Sequence, residues 1–534
     1  MSNPVRGRRG MAVAPHALAS QSALAVLREG GNAIEAMVAA AASIAVVYPH
    51  MNGIGGDSFW LVSLPRAGGD ADVIGIDASG AAAQGVRAEH YAGRTAIPFR
   101  GGDAAITVAG TLAGWDEALA LSRERAGGKL PLSRLLADAI DYARHGMPVT
   151  ASQHRNTAGK AAELNPIHGF ADAFMPGGQA PDIGALFHQP RMAATLEHLA
   201  RHGLDDFYRG ELARTLADDL AAAGSPLALA DLQAHRAVRR DALMLRHSHG
   251  RVFNMPPPTQ GLVSLMILGL MDRLDTKRHD PLGADYVHAA VESVKQAFAV
   301  RDAHITDPAH MRVDPASFLA PDALDAMAAR IDMQRAAPWG AGKGPADTIW
   351  MGVIDGEGRA VSMIQSIYHE FGSGVVLRQS GVNWQNRGAS FSLVPGHINS
   401  LAPGKRPFHT LNPALALLDD GRTMVYGNMG GDGQPQSQSA VFTRTVQHGM
   451  NPQDAIAAPR WLLGRTWGQT SDTLKLESRF SPETIAELRA RGHEVDVLGD
   501  FDETFGHAGC LLRNPDGALE GGFDPRSDGS VAAF

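Results

Sequence analysis

The pattern of apolar and polar positions divides the 534 residues into two stretches of different character. Near the N-terminus, ALASQSALAVLREGGNAIEAMVAAAASIAVV carries helical periodicity in two blocks. The first covers about 18–29 and stops at Gly30-Gly31. Asn32 is placed to cap the second, which ends before Pro49. MNGIGGDSFWLVSL predicts a glycine turn running into a strand, and VIGIDAS at 73–79 predicts another. From 111 to 330 the pattern is mostly helical, as in LAGWDEALALSRERAG and YVHAAVESVKQAFAVRDAHI. The chain then loosens over AAPWGAGKGPAD, residues 336–347, and beyond it the period falls to two. TIWMGVID and RAVSMIQSIY read as the arms of a hairpin around Asp355-Gly356-Glu357-Gly358. GVVLRQSGVNWQ, ALALLDDG with MVYGNMGG, and LKLESRF read as further strands, and SPETIAELRARG as an amphipathic helix near the end. Helices first and a sheet-rich tail predict an α+β or layered sandwich, not alternating βαβ units.

Composition narrows the functional classes. A net charge of −8 with no lysine or arginine run disfavours a nucleic-acid partner. The single cysteine, Cys510, excludes an internal disulfide framework and a cysteine zinc cluster, and it fits a reducing compartment. With 22 histidines a His/carboxylate metal site stays open, but HExxH is absent, no tight His pairing stands out, and no feature calls for a metal or a cofactor. The arginine-bearing N-terminus lacks a sustained apolar region, and AMVAAAASIAVV at 36–47 is too short to span a bilayer. The expectation is a soluble cytoplasmic protein.

Candidate chemistry gathers around Thr348. A threonine opening an apolar strand is ordinary by itself, because β-branched residues favour strands. Here it follows a Gly/Pro segment where a cut would tear no element. Period-two alternation on the partner arm puts Ser366 and Tyr368 on one face. Gly430-Gly431, after a predicted strand, offer backbone N–H groups to a developing oxyanion. LAPGKRPFHTLNPALAL adds the polar pair His409-Thr410.

In order along nearly the whole chain, these segments resemble the γ-glutamyltranspeptidase superfamily. EGGNAIEA is the most diagnostic, followed by the Thr348 strand, FGSGVV, APGKRPFHT, MGGDGQPQ and GGFDPRSDGS. The resemblance implies a four-layer αββα N-terminal-nucleophile hydrolase. It implies self-cleavage into a large chain, 1–347, and a small chain, 348–534, which together form one structural domain. Thr348 would be nucleophile, with its freed α-amine as base. Ser366 would hold the threonine, and Gly430 and Gly431 would stabilise the oxyanion. The two chains would stay associated, and a further pairing of two-chain units is left open.

The substrate pocket departs from the true transpeptidases. Ser79 stands nearest the position of the family arginine, His409-Thr410 replace paired serines, and Tyr368 replaces an asparagine. Arg387 and Ser390 replace the acidic partners of a substrate ammonium. A guanidinium repels an ammonium and suits a carboxylate. The expected substrate is therefore a small anionic amide without an α-amino group, a profile that resembles the oxamate amidohydrolase branch. Three alternatives stand beside it: a γ-glutamyl hydrolase or transpeptidase acting on glutathione-like substrates, a glutaryl-type acylase, and a processed binding or scaffold protein without activity. Asn52, Gly55, Gly56 and Asp57 read as a wall of the same site.

Overall fold

The computed structural model describes residues 3–340, 347–465 and 471–534. Residues 341–346 of the loosened segment lie outside them. Two seven-stranded sheets form the centre. The first runs Ser530–Ala533, Gly10–Ala14, Asp347–Asp355, Ala360–Tyr368, Asp57–Pro65, Ala71–Ala78 and Val238–Asp241. The second runs Val5–Gly7, Leu519–Phe523, Gly509–Arg513, Thr423–Gly427, Ala414–Leu418, Gly250–Asn254 and Leu243–His247. Every pairing within these two sheets is antiparallel.

Three apolar interfaces separate four layers. Helices Ala17–Arg28, Ala33–Val47 and Thr111–Leu121 cover the outer face of the first sheet, with Met37, Ile44, Trp60, Val62 and Met351 in one core. Trp350, Phe59, Leu61, Val13, Leu415 and Val425 fill the space between the sheets. Helices Gly261–Arg273, Ala284–His304 and Gly433–Val446 cover the second sheet, against Val252, Ala416, Met424 and Leu512. Alternation along each central strand sends successive side chains into different cores, so Trp350 and Met351 lie on opposite faces. This is the αββα sandwich, and its strands come from both sides of Thr348.

Several local expectations hold at the level of single atoms. Asn32 caps the helix Ala33–Val47: its Oδ1 accepts from Ile34 N and Glu35 N, while Glu35 Oε2 accepts from Asn32 N at 2.9 Å. Glu35 Oε1 accepts from Lys129 N and Leu130 N, so the buried carboxylate is fully engaged. The hairpin turns where proposed, with Asp355 Oδ1 accepting from Glu357 N and Arg359 N.

Other expectations are corrected. GVVLRQSGVNWQ is no strand. It folds into a tight loop in which Leu377 N donates to Val382 O and Gly381 N to Leu377 O, pinned by Thr195 Oγ1 on Ser380 O. The mostly helical stretch contains three strands over 238–254, where an exposed Met244 and a buried His247 blur the alternation. Helix Gly433–Val446 went unread because it is polar in sequence yet buried along its whole length.

Candidate active site

The site is built where the hairpin meets the helix pair's turn. Strand Asp347–Asp355 pairs with Ala360–Tyr368, with a register shift between Asp347 and Ile349. That irregularity leaves Thr348 out of step with the ladder and aims its side chain toward Ser366. The Thr348 hydroxyl donates to Ser366 Oγ at 3.2 Å, and Tyr368 N donates to the same oxygen at 2.8 Å. Tyr368 itself has φ +82°, a conformation a bulky residue holds only when its surroundings impose it. Ser366 and Tyr368 therefore do not simply share a strand face; the strand ends in a sharp reversal that swings the phenol ring away.

The swung ring lies under a guanidinium. Arg387, at the start of the short turn Arg387–Ser390, places Cζ 3.8 Å from the Tyr368 ring centre. Arg387 is 1% exposed, and its Nη1 and Nη2 have no hydrogen-bond partner among the described residues. Burial lowers it to about 10, with Tyr368 and Asp57 acting the other way, so it remains a cation at neutral pH. A buried, unpaired guanidinium is costly and calls for an anion. The Ser390 hydroxyl lies 2.9 Å from Arg387 O and 3.0 Å from Phe408 O, sharing its one proton between them, and so braces the turn.

His409 is fully buried beside Phe59, with ring centres 5.0 Å apart, and its Nε2 lies 3.5 Å from Asp57 Oδ2. Burial first, then Arg387 and Arg406, hold its imidazole well below the ordinary range. Asp57 Oδ1 accepts from Gly80 N and Gly110 N, both at 3.0 Å, yet burial raises its carboxyl to about 7. Thr410 is buried with its hydroxyl unpartnered.

Gly430 and Gly431 have φ +108° and +52°, between the strand Thr423–Gly427 and the helix Gly433–Val446. Two residues that sequence reasoning missed hold this turn. Gln260 Nε2 donates to Gly431 O at 2.8 Å and to Thr410 O at 2.9 Å, tying the glycine turn to the His409-Thr410 strip. Arg301, fully buried against Phe298, donates to Asp432 Oδ1 at 2.7 Å. Asp432 in GGDGQPQ was visible, but nothing in the sequence named its cation partner in a distant helix.

The glycine turn at 55–56 is dictated by close approach. A Cβ on Gly56 would stand 2.1 Å from Ser366 O, and one on Gly55 2.2 Å from Asn383 O. Gly56→Ala is expected to cost about 1–3 kcal/mol and to slow maturation by displacing Ser366. A thermal melt and a denaturing gel read both effects.

Elsewhere, ligand atoms of His288, Glu292 and His493 lie within 4.8 Å of one another. Lys295 Nζ is 2.6 Å from Glu292 Oε1, and His288 Nδ1 is 2.8 Å from His493 Nε2. An ammonium thus already supplies the positive charge that a metal would bring.

A four-layer αββα sandwich with a threonine at the head of an inner strand defines the N-terminal-nucleophile hydrolase class. The gamma-glutamyltranspeptidase family model matches residues 19–534, and the chain belongs to that family, whose members are self-processing hydrolases acting on amides. It is 61% identical over 525 residues to the oxamate amidohydrolase proenzyme of Klebsiella pneumoniae, covering 98% of each chain. It is 40% identical over 534 residues to the glutathione hydrolase-like YwrD proenzyme of Bacillus subtilis, covering both completely. The crystal structure of cephalosporin acylase from Bacillus halodurans superposes with a TM-score of 0.91 at 33% identity, covering 100% of this chain and 97% of that one. No helix among the described residues is long and apolar enough to cross a membrane.

Proposed function

We propose that the chain cuts itself between Asp347 and Thr348, and that the freed Thr348 hydrolyses the amide of a small anionic substrate, oxamate being the best fit. The observation that carries this reading is the buried Arg387 guanidinium beside Tyr368, whose Nη1 and Nη2 find no partner among the described residues. It offers a carboxylate the two-pronged contact that planar guanidinium groups make well. The similarity to an oxamate amidohydrolase proenzyme supports the same choice.

In the mature enzyme the Thr348 α-amine, titrating near ~7.7–8.0, takes the hydroxyl proton. Thr348 Oγ1 attacks the amide carbon, and Gly430 and Gly431 N–H groups receive the charge that develops on oxygen. The C–N bond breaks, ammonia leaves with the proton held by the amine, and an ester remains on Thr348. Water then opens the ester and releases the diacid. Ser366 holds the Thr348 hydroxyl in place. Tyr368 backs the guanidinium, Ser390 fixes its turn, and His409 with Thr410 completes the carboxylate end. The large and small chains remain together, and the protein works in the cytoplasm, in keeping with its lone buried thiol.

The test is ammonia release from oxamate beside turnover of a γ-glutamyl anilide by the two-chain protein. Oxamate turnover is expected; release from the γ-glutamyl compound alone would overturn the reading of Arg387. Ser366→Ala, which removes the acceptor of the Thr348 hydroxyl, is expected to slow both self-cleavage and turnover about tenfold to a hundredfold. A time course on gels and kcat measured on the matured fraction separate the two.

A further inference from the structure

The glycine turn at 430–431 is held by a side chain from the other side of the proposed cut. Gln260 is fully buried just ahead of the helix Gly261–Arg273, and its backbone is pinned at both ends. Its N donates to His409 O at 2.9 Å, and its carbonyl accepts from Val263 N at 3.0 Å. From that fixed point Nε2 donates to Gly431 O at 2.8 Å and to Thr410 O at 2.9 Å. Both hydrogens of the amide are therefore committed, one to each of two separate small-chain loops. Oε1 is buried without a partner among the described residues, so the amide acts on its surroundings through its nitrogen alone.

A glycine joins two rigid peptide planes by a loose hinge, and φ +52° at Gly431 is one of several conformations open to it. The plane before the hinge is held because Gly430 O accepts from Gly433 N at 2.8 Å. The plane after it is held through Gly431 O, which accepts from Gln260 Nε2 and, at 3.2 Å, from Gln434 N. With both planes held, the Gly431 N–H keeps one direction. We propose that Gln260 is a positioning residue for turnover, its amide locking the glycine turn against the His409-Thr410 strip so that the N–H donors stand ready for developing negative charge. The inference rests on the oxyanion role given above to Gly430 and Gly431. Donors fixed in advance act on the transition state more than on the bound substrate, so the effect belongs in kcat.

The experiment measures kcat and KM for oxamate, per matured site, in the wild type, Gln260→Met and Gln260→Glu. Q260M keeps the length of the side chain and removes both donors. Its kcat is expected to fall about tenfold to a hundredfold, with KM within about threefold of wild type. In Q260E a carboxyl packed against two carbonyl oxygens titrates well above its usual range. Ionised, it repels both carbonyls; protonated, its single O–H restores one of the two bonds. The ratio of Q260E to wild-type kcat is therefore expected to rise about tenfold from about pH 9 to about pH 6. Unchanged kcat in Q260M, a loss carried by KM, or a Q260E ratio flat with pH overturns the proposal and leaves the reading of Thr348 and Arg387 standing. If the wild type releases no ammonia from oxamate, that reading falls and this proposal with it. Should Q260M stay uncut, the rate of cutting in Q260E decides: relative to wild type it must quicken as the pH falls, and a flat ratio overturns the proposal.

Discussion

Replacing Thr348 by alanine is expected to leave a single chain of 56.4 kDa without amidase activity. The wild type should yield two chains, the smaller beginning TIWMG. The expectation follows from the roles gathered in one residue. Its hydroxyl is the attacking group in the cut and in turnover, and its nitrogen becomes the base only after the cut. Removing a nucleophile of this kind costs about 10⁴–10⁶ in rate, because the remaining groups cannot substitute for it. Fold and packing should survive, since Thr348 contributes one hydroxyl and one methyl to the sheet and alanine keeps the strand. The measurements are a denaturing gel, N-terminal sequencing of the smaller chain, and ammonia release. Normal cleavage in the T348A protein would refute self-processing at this bond.

The second large effect separates function from stability. Arg387→Met is expected to lower kcat/KM for oxamate by about 2–5 kcal/mol, roughly 30-fold to several thousandfold. The same change should raise the resistance of the protein to denaturant by about 1–3 kcal/mol. It removes a charge whose terminal nitrogens are buried without partners among the described residues, and the methionine keeps apolar contact with Tyr368. Arg387→Lys keeps the charge but loses the fork, so it should recover only part of the activity. Activity losses would appear mainly in KM if the ground-state carboxylate is held as firmly as the transition state. A variant that loses stability and keeps its activity would mark Arg387 as a brace for the Tyr368 reversal instead.

The sequence announced the hairpin, the capped helix pair and the layered class, because those rest on local periodicity and capping chemistry. Asn32 and Glu35 lie three residues apart, and Thr348 and Ser366 are joined by one short turn. What it concealed depends on distant chain. Gln260 is 150 residues from Thr410 and 171 from Gly431, and Arg301 is 131 from Asp432; no spacing rule reaches that far. The helix Gly433–Val446 was unreadable for a different reason. Its glutamines and serines look solvent-facing until Gln436 is seen bonded to Leu463 O and Gln438 to Asn412 O. Arg387 could be read as a charge mismatch with an ammonium site, but that its Nη1 and Nη2 find no hydrogen-bond partner among the described residues needed three dimensions. The sequence also placed Asp57 in the wall without revealing that His409 would come to face it.

The interleaving of the strands carries a last consequence. Gly10–Ala14 lies hydrogen-bonded between Ser530–Ala533 and Asp347–Asp355, while Ala360–Tyr368 lies between Asp347–Asp355 and Asp57–Pro65. The proposed cut ahead of Thr348 would remove a tether while the strands on either side remained paired through these ladders, so neither polypeptide could depart without dismantling the other. Once melted, however, the halves must find each other by collision instead of along a shared backbone. Maturation of this kind would trade a reversible fold for an assembly whose lifetime is governed by its barrier to opening.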